Sequence, residues 1–248
     1  MLFRSRMKKT WIYTCAVLLA ATAVSVPSLS TVAAPQPAIS VTADQLQYDG
    51  KTQVATAKGN VVIVRDNATM TGATAMYNLK TAEADLDGGV TVEQPDMHVT
   101  AQKLHSTNKN YVVATGDVRG IYGDRKLNGD QVEYYLDQDY GIVTGNGYME
   151  AQGSQMWADR IDAWTKKILA VGTGSVHIES PKDNLSAYAN KAEYTQTPGV
   201  NDGVINLFGD VHATQNGSSL NGDNIQIRLA DDSAQAMSRS TLIIVPTN

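Results

Sequence analysis

The chain has 248 residues, 42% hydrophobic and 18% charged, which supplies a real apolar core and excludes a disordered or fibrous protein. Its net charge is −5, and residues 1–34 carry Arg4, Arg6, Lys8 and Lys9 with no acid, so the remainder stands at −9. That balance argues against a nucleic-acid partner, which needs clustered Lys and Arg, and two Phe and three Trp beside twenty Gly argue against an ordinary helical enzyme.

The first element is an export signal over residues 1–34. Arg4 to Lys9 form a positive stretch, Trp11 to about Ala23 an apolar one, and Thr31-Val32-Ala33-Ala34 the small residues at which a signal peptidase cuts. The apolar run is shorter than the roughly 20 residues of a spanning helix, which favours cleavage and an exported product over a retained anchor. Cys15, the one cysteine, lies inside this segment, so a mature chain over residues 35–248 has no thiol. Disulfides, thiol nucleophiles and cysteine metal sites are excluded together.

From Ala43 onward one phrase recurs: ADQLQY, GATAMY at Gly72, AQKLHS at Ala101, GDQVEY at Gly129, ADRIDA at Ala158, ANKAEY at Ala189 and GDNIQI at Gly222. A second phrase, small-x-small-x-Gly-x-Val, interleaves with it. Its copies are Ala55-Ala57-Gly59-Val61, Ala84-Leu86-Gly88-Val90, Val112-Ala114-Gly116-Val118, Ile168-Ala170-Gly172-Gly174-Val176 and Ile205-Leu207-Gly209-Val211. Two phrases per period of about 29 residues give two strands per unit, and turns such as Asp49-Gly50-Lys51 and Asn108-Lys109-Asn110 join them. Seven such units predict an all-β stack of about fourteen antiparallel strands, with seven rungs in each of two facing sheets about 30 Å long. Gly145-Asn146-Gly147 marks an irregular fourth unit with a bulge.

Along the second strands, the positions in phase with the glycines are apolar and their neighbours, such as Thr56, Lys58 and Asn60, are polar. Period two sends the first set inward. The inward candidates are Ala55, Ala57, Gly59, Val61 and Ile63; Leu86, Val90 and Val92; Val112 and Val118; Ile168, Val176 and Ile178; and Ile205, Leu207 and Val211. Small inner residues have two readings: close packing of two sheets, or a groove whose missing side-chain volume receives an apolar guest. Repetition at every rung favours the groove.

Val41 to Val64, VTADQLQYDGKTQVATAKGNVVIV, resembles the signature of the LptA/OstA family of lipopolysaccharide-transport proteins, in which Ala-Asp-x-hydrophobic-x-Tyr is followed by a turn and Ala-x-Gly-Asn-Val. Gly116-Asp117-Val118 and Gly209-Asp210-Val211 repeat its core. The resemblance implies a folded-over, open β-jellyroll that shields lipid A acyl chains in a hydrophobic groove and bridges the inner and outer membranes, without enzymatic activity or cofactor. Such shielding has a physical basis, since each CH₂ moved out of water is worth about 0.8 kcal/mol and a chain of about twelve carbons about 10 kcal/mol. A cleaved signal fits an LptA-like bridge, and a retained one an inner-membrane-anchored, LptC-like component. The chain carries more repeats than a short bridge needs.

The ends of the stack are open sheet edges: Val41, Leu46 and Tyr48 at one, and Leu242, Ile243, Ile244 and Val245, read as a terminal apolar strand, at the other. Strand addition there joins other jellyroll domains, either identical subunits head to tail or neighbouring transport components, unless each edge is capped by its own terminal residues. The remaining candidates are weak. His177 and His212 share a repeat position and face outward as a stacked pair without fixed acidic or thiol partners, so no metal site is expected. Asp44, Asp130, Asp159 and Asp223 recur at one phrase position and read as local backbone acceptors at strand starts. The rival functions are an exported structural or adhesive β-solenoid with a solid interior and a polysaccharide-active β-helix.

Overall fold

The computed structural model describes residues 39–245 except Asp66, Asn108, Lys109, Gln152 and Asn201, so the expected signal over residues 1–34 lies outside the described residues. Alternating polar and apolar residues build twelve long strands in chain order: β3 (Val54–Arg65), β4 (Ala68–Asn78), β5 (Glu83–Gln94), β6 (Met97–Thr107), β7 (Tyr111–Tyr122), β8 (Arg125–Tyr135), β9 (Tyr140–Ala151), β10 (Ser154–Trp164), β11 (Leu169–Ser180), β12 (Leu185–Thr195), β13 (Val204–Gln215) and β14 (Ser218–Arg228). Short strands close the two ends: β1 (Ile39–Thr42) and β2 (Gln45–Asp49) before them, β15 (Ser233–Ala236) and β16 (Ser240–Ile243) after. Among the described residues the only helical piece is a 3₁₀ turn, Pro181–Asp183. All sixteen strands form one antiparallel sheet in which β3 to β14 follow sequence order.

The expected pair of facing sheets is therefore two halves of one sheet, and every strand belongs to both. Each long strand shifts register at its middle, between Lys58 and Val61 on β3 and between Thr173 and Val176 on β11, for example. At that place the odd-numbered strands carry two successive left-handed residues: Gly59-Asn60, Gly88-Gly89, Gly116-Asp117, Gly145-Asn146, Gly174-Ser175 and Gly209-Asp210. Glycine takes positive φ without a Cβ penalty, and Asn and Asp tolerate it best among the rest. One extra residue per odd strand makes a bulge, and stacked bulges make a corner running the length of the sheet. The bulge at Gly145 is thus one of six rather than an irregularity. The glycines read as inner small residues turn this corner, with Gly59 at φ +76°.

Folding at the corner is visible in what the strand ends share. Leu169 and Ser180 begin and end β11, a span of about 36 Å if the strand were straight, yet both line a single cavity of about 190 Å³. The corner brings the two long margins of the sheet together as lips. One lip holds the β7–β8, β9–β10 and β11–β12 turns, and the other the β10–β11, β12–β13 and β14–β15 turns. The ladder has fourteen rungs, counting each pair of terminal strands as one, and is about 60 Å long rather than about 30 Å, because successive strands add to one ladder instead of alternating between two.

The terminal rungs are broken at the same corner. β1 pairs with the second half of β3 and β2 with the first half; β15 and β16 divide β14 likewise. Val41 and Tyr48 consequently lie on separate strands, and Ile244 and Val245 follow β16 instead of extending it. Asp44 accepts a hydrogen bond from Asn60 Nδ2 at 3.0 Å, and Asp159 one from Ser175 Oγ at 3.4 Å. These aspartates bind across to the neighbouring corner instead of to local backbone, and cover glycines whose added Cβ would meet them at 2.2 Å at Gly59 and 2.3 Å at Gly174.

Candidate functional site

The two halves of the folded sheet enclose an apolar face. On the odd strands Ala57, Val61, Leu86, Val90, Val92, Val112, Val118, Val176, Ile178, Ile205, Leu207 and Val211 are buried. Ala55 and Ile63 are half-buried, as is Ile168, which precedes β11 in a turn. The even strands contribute as much: Met70, Leu104, Met156, Ile161, Ile225 and Ile227 are all buried. Their periodicity misleads a sequence reading because even strands lack the extra corner residue. On β4 the inward set runs Ala68, Met70, Gly72 and then Ala75, Tyr77, with two successive outward residues, Ala73 and Thr74, at the bend. The phase change at each copy of the first phrase is the signal that would have found them.

Two clusters fill this interior. One runs from Ala57 to Val118 and the other from Val143 to Ile227, and Val132 on β8 packs against both. Most of the inner side chains bury one another, with Ile161, Leu207 and Ile225 at 0% exposure. The lips stand apart at the 190 Å³ cavity, whose floor is Met149, Met156, Ile178 and Ile205. Arg125, Ala151, Ser154, Ser180 and Lys182 line it from one lip, and Trp164, Ile168, Leu169, Tyr194, Gln196 and Leu229 from the other. A cavity near 150 Å³ accepts a six-carbon ring, so this one has room for a short stretch of alkyl chain.

Apart from the split terminal rungs, where β1 pairs with β3 and β16 with β14, strand pairing among the described residues joins sequence neighbours, so no β-ladder ties one lip to the other. Along each lip, by contrast, successive turns are hydrogen-bonded: on one, Thr165 N–H to the Asp139 carbonyl at 3.0 Å, Gln196 N–H to Ile168 at 3.1 Å and Leu229 N–H to Gly203 at 2.9 Å; on the other, Gly123 N–H to Asp96 at 3.0 Å and Asn216 N–H to Asn184 at 3.3 Å. Each lip is stiff lengthwise, and parting the lips breaks side-chain packing without breaking that ladder. Ile168 holds φ +47° in this turn row, a strained conformation for a β-branched residue, at the cavity wall.

The outer face is polar and aromatic. Tyr148, Trp157, His177 and Tyr188 stack across β9 to β12 with centroid separations of 5.2, 4.9 and 4.2 Å. Tyr188 pairs with both His177 and His212 and so stands between the two histidines. Burial first, and then hydrogen bonding to Glu150, pushes the Tyr148 hydroxyl up to about 12; Tyr111 is raised to about 12 by burial and Glu133. Among the described residues no group of three or more His, Cys, Asp or Glu is arranged to hold a metal, and no helix is long and apolar enough to cross a membrane. Val41, Leu46, Tyr48, Leu242, Ile243, Ile244 and Val245 at the two ends are exposed, Leu46 at 60% and Ile244 at 68%.

Comparison with known proteins adds four findings. Residues 98–233, more than half of the chain, match the family model described as LptA/(LptD N-terminal domain) LPS transport protein. Residues 23–94 match that described as lipopolysaccharide-assembly, LptC-related. Over 79 residues the chain is 32% identical to LPS-assembly protein LptD of Nitrosomonas eutropha, a stretch that is 32% of this chain and 11% of LptD. The chain thus spans about a tenth of that relative. LptH of Pseudomonas aeruginosa, the LptA homologous periplasmic component of its lipopolysaccharide transport device, aligns at 20% identity over 56% of this chain and 84% of LptH, with a TM-score of 0.29.

Proposed function

We propose a function that proceeds from one premise: the chain belongs to the family of LptA and LptD N-terminal-domain LPS transport proteins. It carries lipopolysaccharide through the periplasm with the acyl chains held between the two halves of the folded sheet. The observation that supports this reading most is the cavity at the lips, where inward residues from both ends of β11 meet over an apolar floor. Acyl chains enter by parting the lips, which costs packing but no strand pairing. They then replace the contacts that Val61, Val90, Val118 and Val176 make with the opposite half. Transport of this kind needs no bond to be made or broken by the protein.

Photo-crosslinking in the presence of lipopolysaccharide tests the reading. Probes at inward Val61, Val90, Val118 and Val176 are expected to label the lipid, and those at outward Lys58 and Thr91 to label it weakly. Equal labelling of the two sets overturns the groove. The exposed ends supply the proposed contacts with other jellyroll components, as in a bridge between membranes.

The LptC-related match over residues 23–94 favours a second reading, an inner-membrane-anchored component whose leader is retained. The amino-terminal sequence of the exported protein separates the two: a start near Pro35 supports the mobile bridge, and an intact Met1 end supports the anchored form.

A further inference from the structure

Inward positions of the twelve long strands can be read rung by rung from the register and the alternating burial. On β8, Gly129 faces the buried Val118, and Leu127 and Arg125 follow it on the same face at period two. On β3, Val61, Ile63 and Arg65 share the inward phase. Reading every long strand this way, the inward face among the described residues carries two charged side chains, Arg65 and Arg125. Both are cations and both lie at the same lip. The equivalent first inward position on the other long even strands holds Ala68, Met97, Ser154, Leu185 and Ser218. The cavity at the lips repeats the bias, since among the described residues its two charged lining residues are Arg125 and Lys182, with no carboxylate beside them in the lining.

Charge on an inward arginine is costly. Burial pulls the Arg125 guanidinium below its ordinary value, against the opposing pull of Asp124. An anion at the cavity mouth offsets that cost, and guanidinium is the side chain best suited to a phosphate, which it can grip with two parallel N–H donors.

We infer that Arg125, with Lys182 farther along the same lip of the cavity, is a phosphate-recognising subsite at the mouth of the lipid groove, fixing the headgroup of a phosphorylated acyl lipid at one lip while its chain lies on Met149, Met156, Ile178 and Ile205. The inference rests on the transport reading above and adds to it an orientation and a specificity. The lipid enters tail first, and its phosphate stays on the lip that carries the cations. Arg65, five strands away and roughly 24 Å along the ladder, repeats the arrangement and marks a second station for a lipid moving along the groove. A free phosphate ion shares the chemistry but has nothing to bury on the apolar floor.

Displacement of an uncharged pyrenyl-alkane probe from the full chain tests this, using lipid A with its phosphates, the same lipid dephosphorylated, and inorganic phosphate. The phosphorylated lipid is expected to displace the probe at about tenfold lower concentration than the dephosphorylated one, as fits a charged hydrogen-bonded contact. Arg125→Gln with Lys182→Gln should bring that ratio to about one, and Lys182→Gln alone, at an exposed position, should reduce it in a chain whose folding is not in question. A tenfold preference that survives both substitutions overturns the subsite, as does inorganic phosphate that displaces the probe by itself. If neither lipid displaces the probe, the groove reading itself fails, which is a distinct result from loss of the preference alone.

Discussion

Asp162 shows how single residues fasten the outer face. Arg160 reaches it with Nε and Nη2, each at 2.7 Å, and the Tyr140 hydroxyl donates to it as well. Burial alone would raise the carboxyl, but the Arg160 and Tyr140 hydrogen bonds together outweigh burial and hold it below the usual range. A carboxylate with a lowered folded-state pKa contributes its full stability above the unfolded value of about 3.9 and loses it as pH falls through the lower folded value. Asp162→Asn is therefore expected to cost about 2 kcal/mol at neutral pH, and the two denaturation midpoints should converge only in strongly acidic solution. A gap that persists there assigns the effect to packing. Of the inward residues, Ala57, Val61 and Leu207 were legible from period two alone. Arg125 was not, because its phase is reset at a corner that the sequence marks only on the neighbouring odd strands.

At the scale of the element, the recurring Gly-Asn, Gly-Asp and Gly-Ser pairs matter more as backbone than as missing volume. Two consecutive left-handed residues in every long odd strand bend the sheet, and a residue of the preceding copy of the first phrase covers the bend, an aspartate at Gly59, Gly145 and Gly174. The small-residue motif was visible in the sequence, but its meaning depended on φ, which a residue name constrains weakly. The terminal rungs follow the same rule: both are split at the corner, and β2 and β16 present exposed apolar residues beside unpaired edges. Ile243 pairs with Ser219 on β14. Proline at Ile243 removes a backbone donor from an edge strand, and end-to-end association, followed by light scattering, is expected to disappear. An unchanged particle size would count against strand addition at this end.

For the whole molecule, the break between the two core clusters falls at β8, whose one fully buried residue is Gly129. Contacts run between sequence neighbours, so stability adds rung by rung as in other repeat architectures, and a thin rung is a place where cooperativity fails. Leu86→Ala and Leu207→Ala are each expected to cost about 3 kcal/mol. In a urea titration followed by probes in each half, Leu86→Ala should move the transition of the amino-terminal half and Leu207→Ala that of the other. A single transition displaced equally by both would show one cooperative unit.

The repeats, the strands, the antiparallel order and the polarity of the two faces along the odd strands followed from the sequence alone, because period two and turn chemistry act over a few residues and leave their mark in residue type. The corner, the meeting of the lips, the cavity between them and the inward place of Arg125 were decided by tertiary structure. They depend on where register slips by one residue between neighbouring strands and on how the two margins approach one another, and both are properties of the assembled sheet that no local segment contains.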